Sequence, residues 1–165
     1  MSSFSPSKAT VTAAVLCVAA TYVYFLIFAE FAFVELARPF AGPQPHHLRQ
    51  IMAVLALGGI VGAALGAWRF RLDLYPRQLA TAFRACGAAG ALALIAQTRP
   101  FLFAAALLVG LALGWLTVVL CSGLRATIGT GRLGLTIGAG TGLAYALANL
   151  PWIFEASPRA QTILA

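Results

Sequence analysis

The sequence predicts an all-α integral membrane protein, a bundle of five transmembrane helices followed by the start of a sixth. Three observations carry that expectation. Hydrophobic residues make up 61% of the 165 and charged residues only 9%, far below the roughly 25% charged that a water-facing domain carries. The mean hydropathy is correspondingly high, at +0.91. The apolar residues fall in runs of about 20, the length at which a helix crosses a hydrocarbon core, and these runs lack the strict alternation of strands. A chain of this length makes one bundle and leaves nothing for a second domain.

Taken in order, residues 1–10 form a polar tail with Lys8 as its charge. The first span, 11–37, is too long for a cleaved signal segment and reads as a retained helix, ended by Arg38-Pro39. An irregular loop, Pro39–His47, carries prolines at 39, 43 and 45 and leads into the second span, 48–68. The turn Arg69–Arg77, closed by Tyr75-Pro76, separates it from the third span, 78–97. Arg99-Pro100 breaks the chain before the fourth span, 101–124. The stretch Arg125–Arg132, with Gly129-Thr130-Gly131, reads as a loop before the fifth span, 133–153. Residues 154–165 form a tail on the outer side whose end resembles the first turns of another helix, as though the chain were cut there.

Alternate crossings place Lys8, Arg69, Arg71, Arg77, Arg125 and Arg132 on one side, and Arg38, Arg49, Arg99 and Arg159 on the other. The positive-inside rule then puts the N-terminus in the cytoplasm, in a multi-pass protein of a cell membrane, expected to be a bacterial inner membrane.

The net charge of +7 is scattered singly between apolar runs, so the expected partner of the cations is anionic lipid and not nucleic acid. Cys17, Cys86 and Cys121 each sit inside an apolar run and read as packing residues. His46 and His47 are adjacent, so their side chains diverge and no metal site is expected. No cofactor is expected either, since intramembrane histidine for haem and intramembrane lysine for retinal are both missing. Glu30, Glu35, Asp73 and Glu155 are dispersed, and no Ser/His/Asp set can form within the spans, so the chain is not expected to be an enzyme.

Glycines are ordered more tellingly. Gly58, Gly62 and Gly66 recur every fourth residue in span two, Gly134, Gly138 and Gly142 in span five, and Gly110 and Gly114 share that spacing in span four. Small residues at i, i+4 let helix backbones approach in lipid, where the hydrophobic effect does not drive helices together. These faces serve either packing within the bundle or contact with a second helical bundle: a missing C-terminal half, a homodimer mate or another membrane subunit. A shift of 76 residues lays the first glycine set on the second, as two three-helix repeats inserted in opposite orientation would give.

Polar groups inside spans are costly and therefore candidates for function. Glu30, placed among Phe28, Phe31 and Phe33, could take up and release a proton. Glu35 is spaced to pair with Arg38 at i, i+3. Tyr22, Tyr24, Tyr145 and Asn149 are candidate cavity residues.

In span order, in the basic turn after span two and in the glycine-rich fifth span, the chain resembles the N-terminal half of a major facilitator superfamily transporter, from its first span to the start of a sixth. The cytoplasmic motif of that family, a glycine, an acid and clustered basic residues, is matched in altered form by Gly62-Ala-Ala-Leu-Gly66-Ala-Trp-Arg69-Phe-Arg71-Leu-Asp73 and then Arg77, with the acid late. The glycine-rich fifth-span motif is matched by Gly134-Leu-Thr-Ile-Gly138-Ala-Gly140-Thr-Gly142, without its usual Gly-Pro step. The resemblance implies a 3+3 inverted repeat, a gating role for Arg69, Arg71, Asp73 and Arg77, and spans two and five facing the other half. It further implies secondary transport of a small solute by alternating access, which Glu30 could couple to protons. The alternative is a non-transporting subunit whose glycine faces dock a larger membrane complex.

Overall fold

The structure, a computed structural model, describes residues 7–41 and 45–165. Among these residues every regular element is helical and no strand forms. In chain order the elements are α1 (Lys8–Val23), a π-helical segment (Tyr24–Ala32), α2 (Phe33–Ala41), α3 (Pro45–Arg69), a 3-10 turn (Leu72–Leu74), α4 (Tyr75–Ile95), α5 (Arg99–Ile128), α6 (Thr130–Ala148), α7 (Pro151–Phe154) and α8 (Pro158–Leu164). Four helices are long and apolar enough to cross a membrane: Lys8–Phe40, His46–Arg69, Leu72–Ile95 and Arg99–Ile128. The chain is thus compatible with a multi-pass membrane protein. α6 has 19 residues but is not among the four, because five glycines and three threonines dilute its apolar content.

The first helix is continuous across three segments. The Ser7 hydroxyl caps it by accepting from the Thr10 amide at 3.1 Å, satisfying a donor that the first turn leaves free. Midway it widens to π geometry, with the Phe33 amide donating to the Phe28 carbonyl. In an α-helix a step of five residues overshoots a full turn by roughly 140°, whereas the π turn returns it to the same side. Tyr24, Phe28 and Phe33 therefore all face the core, with ring centroids 5.0 Å apart for the first pair and 6.0 Å for the second.

The termini of several spans differ from the sequence expectation. Pro39 does not end the first helix but lies inside α2; it leaves one carbonyl a turn earlier without its amide donor, a loss that membrane helices accommodate. α3 starts at Pro45, a residue suited to the first helical turn because the N–H it lacks would have had no intrahelical partner. Most of the anticipated Pro39–His47 loop is therefore helical, and Pro43 lies outside the described residues. The anticipated Arg125–Arg132 loop also shrinks. α5 runs on to Ile128, and Gly129 alone, at φ 75°, separates it from α6. That left-handed angle suits glycine and strains other residues. The fifth helix ends at Ala148, short of the expected Ile153, and Pro151 opens α7. The tail does hold a helix, α8, capped by the Ser157 hydroxyl accepting from the Ala160 amide at 3.3 Å.

α5 is the hub. It packs most extensively on α3, then on α4, and also on α1 and α6, while α6 rests chiefly on α1. The α3–α5 contact is made backbone to backbone. A Cβ on Gly58 would stand 2.6 Å from the Leu107 carbonyl oxygen, and one on Gly62 would collide with the backbone of Leu111. Reciprocally, a Cβ on Gly110 would meet the Leu55 carbonyl and one on Gly114 the Gly59 carbonyl. Gly66 is less tightly held, its nearest neighbours being Trp115 and Val118.

Gly134, Gly138 and Gly142 behave differently, with nothing within 4 Å of a Cβ placed on any of them. The α6 face that meets α1 is Thr136, Gly140 and Ala144, and a Cβ on Gly140 would lie 2.6 Å from Val18. The 76-residue shift thus lays glycines packed on α5 over glycines that face open space. The shift that lays contact face on contact face is 78, taking Gly58, Gly62 and Gly66 to Thr136, Gly140 and Ala144. Two residues turn a helix by roughly 200°, so the two registers describe opposite faces.

The contrast yields a stability prediction. Gly62→Ala and Gly114→Ala should each destabilise the bundle by about 1–3 kcal/mol, because the added methyl meets rigid backbone. Gly138→Ala, with open space around it, should change stability by less than about 0.5 kcal/mol. Unfolding in mixed micelles by added dodecyl sulfate measures all three. Equal losses would mean that α3 and α5 are not in backbone contact.

Candidate functional site

The four candidate cavity residues fall in different places. Tyr24 is buried, and its hydroxyl donates to the Cys86 carbonyl at 3.0 Å, tying the π segment to α4. It is a tie within the core and not part of a cavity wall. Asn149 caps the end of its own helix, with Nδ2 donating to the Tyr145 carbonyl at 2.8 Å. Tyr145 itself is half exposed on α6. Only Tyr22 lines a groove shared between two spans.

That groove, of about 230 Å³, runs between the first helix and α5. Thr21, Tyr22 and Phe25 form one wall, and Leu113, Thr117, Leu120 and Cys121 the other. The Thr21 hydroxyl donates to the Cys17 carbonyl at 2.9 Å and the Thr117 hydroxyl to the Leu113 carbonyl at 2.8 Å. Each threonine has spent its proton on its own helix and presents oxygen lone pairs as acceptors. The Tyr22 hydroxyl has no partner among the described residues and can donate. The groove therefore offers neutral hydrogen bonding against apolar walls and carries no charge.

Thr21, Phe25 and Thr117 were not singled out from the sequence, and Cys121, read there as a packing residue, is exposed. Thr117 and Cys121 stand at i, i+4 in a largely apolar span, a spacing that marks one helix face. Phe25 follows Tyr22 at i+3.

Glu30 does not sit where its aromatic neighbours suggest. Phe28 and Phe33 point into the core, whereas Glu30 is exposed on the opposite face of the π segment, beside the half-exposed Phe31. It has no hydrogen bond or ion pair among the described residues. Glu35 and Arg38 do pair, at 2.7 Å, on an exposed surface.

The basic turn is shaped by a residue whose part was not foreseen. Gln78 accepts from the Arg71 amide at 3.1 Å through Oε1 and donates to the Arg69 carbonyl at 2.8 Å through Nε2. It thereby closes the turn from the side of α4. Arg71 pairs with Asp73 at 3.3 Å, and the Arg69 guanidinium lies 5.7 Å above the Trp68 ring. Arg77 is exposed with no ion pair. Behind the turn the Tyr75 ring packs where a Cβ on Gly123 would stand, joining the start of α4 to α5.

Among the described residues no three His, Cys, Asp or Glu side chains gather to hold a metal ion. Compared with protein families, curated proteins and solved structures, the chain matches none.

The two adjacent tyrosine sites separate by substitution. Tyr24→Phe should cost about 1 kcal/mol, the net worth of a buried hydrogen bond. Tyr22→Phe should leave stability within about 0.5 kcal/mol of the parent. Micellar unfolding reads both; a larger loss at Tyr22 would place its hydroxyl in the packed interior.

Proposed function

We propose that the chain forms one half of a secondary transporter of the major facilitator type, moving a small solute by alternating access. The observation that carries this reading is the pairing of helices. The second span packs on the fourth, and the fifth helix on the first; the third span packs on the fourth, and α8 on the π segment of the first. Each pair becomes the other when spans one to three are exchanged for four to six, which is what a 3+3 inverted repeat requires. The Tyr22–Cys121 groove between the first and fourth spans then forms one wall of a passage that a second bundle completes. Its neutral acceptors and tyrosine donor suit a polar, uncharged or weakly charged solute. Glu30, unpaired on an outward face, is the one carboxyl inside a span available to carry a proton.

The open glycine face of α6 favours a second reading, in which the chain docks a larger membrane complex without transporting anything. The native Cys121, exposed in the groove, distinguishes the two. Thiol reagents attack the thiolate, which forms in water and not in lipid or a dry protein contact. In membrane vesicles carrying a Cys17→Ser, Cys86→Ser background, a transport passage predicts modification of Cys121 by a charged, membrane-impermeant methanethiosulfonate. If Cys121 resists the charged reagent applied from either side of the membrane, the groove is dry and the transporter reading falls. Where flux is observed, Glu30→Gln should abolish its dependence on a pH gradient; unchanged dependence would remove Glu30 from coupling.

A further inference from the structure

A cavity wider than the Tyr22 groove lies beside the first helix, nearer the chain's start. It has a volume of about 530 Å³ and lies where α1 and α4 stand apart, with Thr127 of α5 also contributing. Thr10, Ala13 and Cys17 form the α1 wall and Tyr75, Leu79 and Phe83 the α4 wall. The eight-residue run from Thr10 to Cys17 makes that wall about 10 Å long. Deeper in the bundle the two helices are tied by the Tyr24–Cys86 hydrogen bond, so the groove is closed at that end and open toward the helix termini.

Two independent features show what the open end recognises. First, six of the 11 basic residues gather at this end of the bundle, Lys8, Arg69, Arg71, Arg77, Arg125 and Arg132, with Asp73 the one acid among the four. Asp73 is engaged by Arg71. Arg77 directly follows Pro76 of the groove and Lys8 precedes Thr10 by two residues. Both are exposed, and neither forms an ion pair among the described residues. Second, Tyr75 lines the groove with its ring packed on Gly123, and its hydroxyl has no hydrogen-bond partner among the described residues. The hydroxyl is not one of the fully buried polar atoms, so it keeps access to the groove and can donate to an acceptor placed there.

We propose that this groove seats an anionic phospholipid of the surrounding bilayer. An acyl chain lies along the apolar walls from Leu79 to Phe83, the phosphate meets Lys8 and Arg77 at the open end, and the Tyr75 hydroxyl donates to a lipid oxygen. Apolar depth with a cationic mouth matches a lipid that is hydrocarbon at one end and an anion at the other, as basic pockets between spans do for anionic head groups. The assignment is independent of whether the chain transports a solute.

Native mass spectrometry of the full chain, released from detergent after equilibration with phosphatidylglycerol or phosphatidylcholine, tests it. The parent should retain phosphatidylglycerol preferentially. Lys8→Gln with Arg77→Gln should weaken that preference by roughly thirtyfold, the effect of two interfacial cations. Arg49→Gln with Arg99→Gln, at the opposite end, should leave it unchanged. Ala13→Trp, which fills the groove without touching a charge, should lose the lipid while both charges remain, and a melting curve will show whether that variant is folded. Equal retention of the two lipids by the parent would overturn the proposal. So would loss of preference in the opposite-end pair to the same extent. Full retention by folded Ala13→Trp would also overturn it, since the head group would then be held by surface charge with no seat for the chain.

Discussion

The backbone contact between α3 and α5 is the constraint on which the rest of the bundle depends. In lipid there is no water to be released when apolar side chains meet, so packing must come from close approach itself. Gly58 and Gly62 on one helix and Gly110 and Gly114 on the other remove the side chains that would hold the axes apart, and carbonyl oxygens of each helix come against Cα atoms of its partner. Weak Cα–H···O contacts add to dispersion in such an arrangement. With α3 fixed on one side of α5, α4 returns along another side, and the remaining surface of α5 is left for the first helix. Leu102, Val109, Leu116 and Val119 of α5 are fully buried as a result. Both grooves lie beside the first helix, where α5 is largely occupied by α3 and α4 and meets the first helix over a smaller surface.

Much of this was legible in the sequence, and the reasons for what was not are specific. Long apolar runs dictate helices because a bilayer leaves no other way to satisfy the backbone, and the segments expected to span do become helices. Their ends were harder. Proline and glycine mark stops at Pro39 and across Gly129-Thr130-Gly131 in the sequence, yet a membrane helix can carry a proline within it and one residue at positive φ suffices to join two helices. The glycine ladders showed which helices could pack closely but not which face would. Gly134, Gly138 and Gly142 are as regular as Gly58 and Gly62 and touch nothing, while the less regular set of Thr136, Gly140 and Ala144 makes the contact. A helix with small residues on two faces leaves the choice to its neighbour's shape.

The candidate site was less legible than the fold. Tyr22 and Tyr24 are the same residue two positions apart, and only the packing of the first helix on α4 and α5 decides that one reaches Cys86 and the other the groove. Gln78 and Gln161 were invisible as determinants because their bonds go to backbone carbonyls and amides. Gln78 closes the basic turn, and Gln161 holds the Ile153 and Phe154 carbonyls from α8 at 3.2 and 3.1 Å. No charge pattern or spacing announces such a role.

The π segment did leave a trace that ordinary helical spacing obscures. Tyr24, Phe28, Phe33 and Ala37 are separated by four, five and four residues, and all are buried. A regular α-helix cannot hold that series on one side, since the step of five rotates Phe33 away from Phe28 by more than a third of a turn. Widening the helix keeps the aromatic seam against α4 and α5, at the expense of regular hydrogen-bond geometry over nine residues. Such irregular turns are frequent where helices carry function. The same widening fixes what faces outward. With Phe28 and Phe33 held inside, Glu30 is locked onto the outer surface, and an ionisable group there is stable only against water, headgroups or another polypeptide. The core thus dictates the position of a carboxylate inside the first span whose environment the described residues do not complete.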